Sequence, residues 1–189
     1  MTLLSTQRLH SGRILTLDLD TVQFPDGSTG TLEMIRHPGA SAVLPFLDDP
    51  RAADPLVLLI RQFRHAADGF IWEIPAGRLE RDESPERCAR RELSEETGMV
   101  AGGVEYLSSV YTTPGFTDEL IHLFVAHDLT RGPARREADE FLELHPMRWS
   151  GVLELVARGE LRDGKTLAAI LLTQCRPGVG ESGLRRPGS

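Results

Sequence analysis

Three glutamates, Glu92, Glu95 and Glu96, crowd into the five-residue run ELSEE, with Arg91 directly before them and Glu83 upstream. Clustered carboxylates repel one another and become favourable together when a cation joins them. Hard oxygen ligands of this kind suit Mg²⁺ or Mn²⁺. Divalent ions bridging a diphosphate neutralise its charge and activate water for attack at phosphorus. The plainer alternative is a solvated acidic face paired with arginine at helical spacing.

The elements around these residues narrow that choice. Ser84 is a good N-cap, Pro85 fits the first helical position and Gly98 is a good terminator, so PERCARRELSEET is predicted to be a helix. On a wheel of about 100° per residue, Ala89 and Leu93 point to the core. Glu92, Glu95 and Glu96 form a band beside that apolar face, while Arg91 falls away from Glu92 and Glu96. The carboxylates therefore border the body of the protein.

The rest of the chain reads as strands and helices in a mixed order. ILTLDLDTVQF and TLEMIRH flank the turn PDGSTG and predict a β-hairpin. SAVLPFL, PLVLLIRQF and FIWEIPAG are short apolar runs bounded by Pro, Asp or Gly, as buried strands often are. VEYLSSVYTT and ELIHLFVAH read as strands joined by PGFTD, and another strand lies near FLELHPMRW. SGVLELVARGE and KTLAAILLTQC have helical spacing. The expected fold class is α/β, a sandwich with a mixed central sheet between helices and an N-terminal antiparallel hairpin or subdomain. The expected division is an N-terminal β subdomain over 1–38, a main domain over 39–175 and a Gly/Pro/Arg-rich flexible tail over 176–189.

Gly77, Glu83, Arg91-Glu92-Leu93, Glu95-Glu96 and Gly98-Met99 match the Nudix box at each of its defining positions. The resemblance implies the α/β/α Nudix fold and hydrolysis of a nucleoside diphosphate linked to another moiety. It implies Glu92, Glu95 and Glu96 as metal ligands with the backbone carbonyl of Ala76, Glu83 reaching in from the loop, and Arg91 orienting the glutamates through charge-assisted hydrogen bonds. Gly77 and Gly98 would serve backbone geometry.

Two flanking segments resemble the ADP-ribose pyrophosphatase branch of that superfamily. RQFRHAADGFIWEIPAG carries the branch's R-Q-x-R and W-E-x-P-A-G patterns, and YTTPGFTDE places Pro114 where the branch has a recurrent proline. The resemblance implies a Mg²⁺-dependent ADP-sugar diphosphatase converting ADP-ribose to AMP and ribose 5-phosphate. Arg64 would neutralise phosphate oxygens, since a guanidinium fork fits them well. Arg61, three residues away, should face the other side of its strand. Glu80 would border the site. Pro114, Gly115, Phe116 and Asp118 would lie beside the terminal ribose, and Ile14 and Glu33 would shape the adenine pocket. Alignment of the DExxE pattern in READEFLEL selects Glu140 as general base. Relatives in this branch are homodimers whose N-terminal strands cross to the partner, and the same is expected here.

The alternatives are pyrophosphatases for GDP- or UDP-sugars and a non-catalytic ADP-ribose sensor; such sensors often lose box glutamates that this chain keeps. The upstream signature of coenzyme A pyrophosphatases is missing. The 189 residues are 40% hydrophobic and 26% charged, enough for a sizeable core. The net charge of −7 argues against a broad nucleic-acid surface. Cys88 and Cys175 lie in no CxxC pair or Cys/His cluster, which argues against zinc and fits a reducing compartment. No apolar run reaches membrane-span length and no signal-peptide pattern opens the chain, so a cytoplasmic location is expected.

Overall fold

The computed structural model describes residues 1–132 and 142–176. Strands β1 (Thr2–Ser11), β2 (Thr16–Gln23) and β3 (Thr29–Arg36) form an antiparallel sheet in that order. The β2–β3 turn forms for a local reason. Asp26 Oδ1 accepts from the amide and the hydroxyl of Ser28, and Gly27 takes a φ of 86° that a side chain would resist.

The central sheet is mixed. Strands β4 (Ala40–Pro45), β7 (Ala76–Arg78), β8 (Met99–Tyr111) and β9 (Leu120–Arg131) run in the order β7-β4-β9-β8. β4 and β9 are parallel and the other pairs antiparallel. A third sheet, antiparallel, joins β10 (Leu142–Arg148), β5 (Leu56–Arg64) and β6 (Gly69–Glu73).

Helices lie on both sides of the central sheet, as period-two alternation along β9 requires. Ile121, Leu123 and Val125 pack with Phe46, α2 (Trp149–Ala157) and α3 (Gly164–Gln174), whose Val152 and Ile170 are fully buried. Phe124 and Ala126 face the opposite way, onto Ala89 and Leu93 of α1 (Pro85–Thr97). Losing the buried Leu93 side chain alone would cost about 2–5 kcal/mol, so the apolar stripe of α1 pins the acidic band in place.

Two features differ from the sequence expectation. β1 is a full strand with every residue exposed, so burial periodicity, the usual strand signal, is absent along it and the sequence does not reveal it. β8 begins at Met99, earlier than its apolar run suggests. Gly102 and Gly103 conceal its first half, and a β-carbon on Gly103 would fall 2.1 Å from the His127 ring.

The N-terminal sheet docks on the loop after β8. The Ile35 amide donates to Phe116 O at 2.8 Å, and the His37 amide donates to Asp118 Oδ1 at 2.8 Å. Arg36 bridges Asp18, Asp20 and Asp118. Among the described residues no helix is long and apolar enough to cross a membrane.

Candidate active site

The acidic helix is held by its ends. Ser84 Oγ accepts from Arg87 N at 3.3 Å, and Gly98 closes the helix at φ 71° with its amide on Ser94 O. The loop before it is tied to itself. The Glu80 amide donates to Glu83 Oε2 at 3.0 Å, and the Glu83 amide donates to Glu80 O at 3.1 Å.

Arg91 gathers the carboxylates. Its Nε and Nη2 grip Glu83 at 2.9 and 3.0 Å, and Nη1 reaches Glu92 Oε1 at 2.6 Å and Glu95 Oε2 at 2.9 Å. Nη2 also donates to the Arg78 carbonyl at 3.0 Å. The wheel alone sets Arg91 away from Glu92, and the length of the side chain overcomes that. The Arg91 guanidinium, through its hydrogen bonds, holds the Glu83 carboxyl at about 2. The same pairing, Glu83 first, raises Arg91 above its ordinary value. Glu96 is buried.

Gly77 closes the arrangement. A β-carbon there would sit 1.9 Å from Glu92 Oε1, so the missing side chain is the space in which the Glu92 carboxylate lies, one residue from the Ala76 carbonyl. Cys88 Sγ lies 3.5 Å from the carbonyls of Gly77 and Arg78. Burial pushes its thiol up to about 11. Among the described residues no three carboxylate, imidazole or thiol groups converge on a point at metal-ligand spacing. Glu92 and Glu95 are drawn instead to Arg91.

Beside this cluster opens a cavity of about 680 Å³, bordered by Ala76, Gly77, Arg78, Arg64, Tyr111 and Glu119. Arg64 faces it. Arg61 does not, as strand alternation predicts. It lies over the Phe70 and Trp72 rings at 5.3 and 5.9 Å on the other face of the sheet. A second cavity of about 670 Å³ at the far end of β9 touches His127 and Arg176; the clustered glutamates line neither cavity, but only the first is bordered by Gly77 and Arg78, which touch the cluster.

The other expected residues scatter. Ile14 is exposed, and its carbonyl accepts from Arg78 Nη1 at 3.3 Å on the cavity rim. Glu33 lies exposed on β3 opposite Leu19. Glu80 is exposed, and Pro114, Gly115 and Phe116 project from the loop after β8 without lining the cavity. Asp118 is engaged with His37 and Arg36. Glu140 lies outside the described residues.

Sequence reasoning passed over Glu73 and Lys165. Glu73 Oε1 and Oε2 accept from Arg64 Nε and Nη2 at 2.7 and 2.9 Å, and Lys165 Nζ donates to Glu73 Oε2 at 2.6 Å. Burial pushes the Glu73 carboxyl up, but Arg64 and Lys165 outweigh it and the net shift is downward. The available signal was an acid inside the apolar strand FIWEI.

Comparison with known proteins decides the family. A NUDIX domain model matches residues 36–170. The chain belongs to the NUDIX domain family. An ADP-ribose pyrophosphatase of Bacillus subtilis (strain 168) is 37% identical over 175 residues, which is 92% of each chain. A methanol dehydrogenase activator of Bacillus methanolicus is 37% identical over 173 residues, covering 90% of this chain and 91% of that protein. The crystal structure of an ADP compounds hydrolase superposes with a TM-score of 0.75 at 23% identity, over 92% of this chain and 91% of that one, and shows the shared fold. The Nudix box thus maps onto β7, the loop after it, α1 and the start of β8.

Proposed function

We propose that this Nudix protein is a Mg²⁺-dependent hydrolase of ADP-ribose and related ADP-sugars. The observation that carries the reading is the Arg91-bound glutamate cluster, set against side-chain-free Gly77 at the rim of a cavity that also exposes Arg64. The likeness, over 92% of each chain, to a protein named ADP-ribose pyrophosphatase supports the choice of substrate.

The donors fit a hard divalent ion. Glu92, Glu95, Glu96 and the Ala76 carbonyl offer only oxygen, and the Glu92 carboxylate lies in the space beside Gly77, the residue that follows Ala76. These four would hold Mg²⁺, with Mn²⁺ as a substitute. When bound, the ion supplies charge neutralisation on the diphosphate and a more acidic water.

The chain's own residues do the rest. Arg91 keeps Glu83, Glu92 and Glu95 aligned. Arg64 neutralises a phosphate oxygen as charge develops. Glu140 takes the proton of the attacking water. One water adds to one phosphorus and the anhydride P–O bond breaks, giving AMP and ribose 5-phosphate. Glu80, Pro114, Gly115, Phe116 and Asp118 border the part of the substrate that extends past the cavity.

The assembly is a homodimer in this reading, with the sheet over 1–38 contacting the neighbouring copy and with Ile14 and Glu33 serving that copy's adenine pocket. Support comes from β1, an edge strand whose Leu3, Leu4 and Leu9 are exposed. The Nudix domain proper spans 39–175 and the tail 176–189. The free Cys88 and Cys175 suit a cytoplasmic, reducing setting.

The test is an assay of ADP-ribose with Mg²⁺ or Mn²⁺, scored for AMP, beside GDP- and UDP-sugars. Turnover of ADP-ribose with the highest kcat/KM is expected. Absence of AMP with either metal overturns the reading. Glu96→Gln should abolish turnover while the fold survives, and retained activity would remove Glu96 from the metal ligands.

A further inference from the structure

Lys165 is the only lysine in a chain that otherwise uses arginine for its cationic side chains. Its side chain is only 13% exposed, which sets it apart from a surface cation. Its ammonium donates to Glu73 Oε2 at 2.6 Å and lies 3.0 Å from Asp163 Oδ2. An ammonium has three N–H groups, and among the described residues the third has no acceptor. Lys165 borders the same cavity as Arg64 and Gly77.

Arg64 is arranged in a matching way. Its Nε and Nη2 are committed to Glu73, while among the described residues Nη1 has no acceptor. Glu73 itself is 2% exposed on its side chain and stands behind both cations. The first turn of α3 is fixed without its help. Asp163 Oδ2 accepts from Thr166 N at 3.0 Å, and Thr166 Oγ1 accepts from Ile74 N at 3.0 Å, locking the helix to the residue after β6. The Lys165 backbone is therefore held in place, and the Glu73 carboxylate sets where its ammonium points.

A buried ion pair is a poor device for stability alone, since apolar residues of similar size often do as well. This one leaves N–H groups of both cations unused beside the cavity. We propose that Glu73 is a positioning residue that holds Arg64 and Lys165 side by side, as a two-pronged clamp for a phosphate of the nucleoside diphosphate substrate. The inference rests on the hydrolase reading above. A compact ammonium offers three donors from one point, two of them met by Glu73 and Asp163 and the third left for a phosphate oxygen.

Four variants and one label test it. Lys165→Met keeps the stem and removes the charge. It should raise KM for ADP-ribose about tenfold or more, the scale of one lost charge-assisted hydrogen bond, with kcat far less affected. Glu73→Gln should raise KM too, and the double variant should be no worse than the poorer single one, because Glu73 acts through the cations. Lys165→Arg should not restore KM. Unchanged KM in Lys165→Met, or effects of the two substitutions that simply add, overturns the clamp.

The label needs no turnover. The chain has one lysine amine besides its α-amine, so amine acetylation followed by peptide mass spectrometry reads Lys165 directly. Inorganic pyrophosphate, with and without Mg²⁺, should slow acetylation of Lys165 relative to the α-amine, and an unchanged ratio overturns the proposal. If Glu73→Gln fails to fold, Lys165→Met and the label decide. If wild type does not hydrolyse ADP-ribose, the hydrolase reading fails while the label still judges the clamp.

Discussion

Gly77 and Glu92 share one space: a β-carbon on Gly77 would fall 1.9 Å from Glu92 Oε1 and 2.1 Å from its carboxyl carbon. The intruded group is the far end of a flexible side chain, so Gly77→Ala can fold by swinging Glu92 aside. The expected result is a split. Thermal stability changes by no more than about 1 kcal/mol, while kcat falls on the order of a hundredfold because the carboxylate leaves its place beside Gly77. Differential scanning calorimetry and steady-state kinetics check it together. Full activity in Gly77→Ala would show that the placement of Glu92 is not needed.

Arg91 and Glu83 make a pH prediction. The carboxyl of Glu83 is lowered from its ordinary 4.5 to about 2. A depressed carboxyl stabilises the fold above its ordinary value, and that contribution disappears as pH falls from about 4.5 toward 2. The Tm difference between wild type and Glu83→Gln should therefore be greatest at neutral pH, constant down to about pH 5, and shrink steadily below. A difference that grows on acidification would contradict the pairing.

The site was legible in the sequence where local rules suffice. Ser84, Pro85 and Gly98 bound α1, and the apolar stripe at Ala89 and Leu93 fixes which way its glutamates lie. Strand alternation separated Arg61 from Arg64. What escaped depends on contacts far apart in the chain. Lys165 meets Glu73 across 92 residues, and no period or motif links them. Asp118 reads as a loop acid near substrate, yet its carboxylate takes the His37 amide 81 residues away. β1 escaped for the opposite reason, since a wholly exposed strand leaves no burial pattern to read.

Arg36 is the rivet of the N-terminal sheet. It pairs with Asp18 at 3.2 Å, with Asp20, and with Asp118 at 3.5 Å in the loop after β8. Asp18 keeps Arg8 at 2.5 Å if Arg36 is lost, but among the described residues Asp20 keeps only the Thr6 hydroxyl at 2.8 Å. Arg36→Ala should therefore loosen β2 and β3, with amide exchange there about tenfold faster or more and the α1 amides unchanged. Asp20→Asn placed on top should recover part of the loss by removing the stranded charge. If exchange accelerates equally in α1, the sheet is not a separate unit of stability.

β1 carries Leu3, Leu4 and Leu9 exposed along the edge of its sheet. An edge strand of this length with bare leucines invites pairing with another chain unless something covers it. In the dimer proposed above, the second copy is that cover. Leu4→Asp with Leu9→Asp should then convert the protein to monomers by light scattering after size exclusion, with the α1 and central-sheet core intact by circular dichroism. Because Ile14 and Glu33 are assigned to the neighbour's adenine pocket, the monomer should show a raised KM for ADP-ribose. Inorganic pyrophosphate, which has no base to recognise, should protect Lys165 from acetylation as well in the monomer as in wild type. A double variant that stays dimeric, or a wild type that is monomeric at all concentrations, would exclude β1 as the interface.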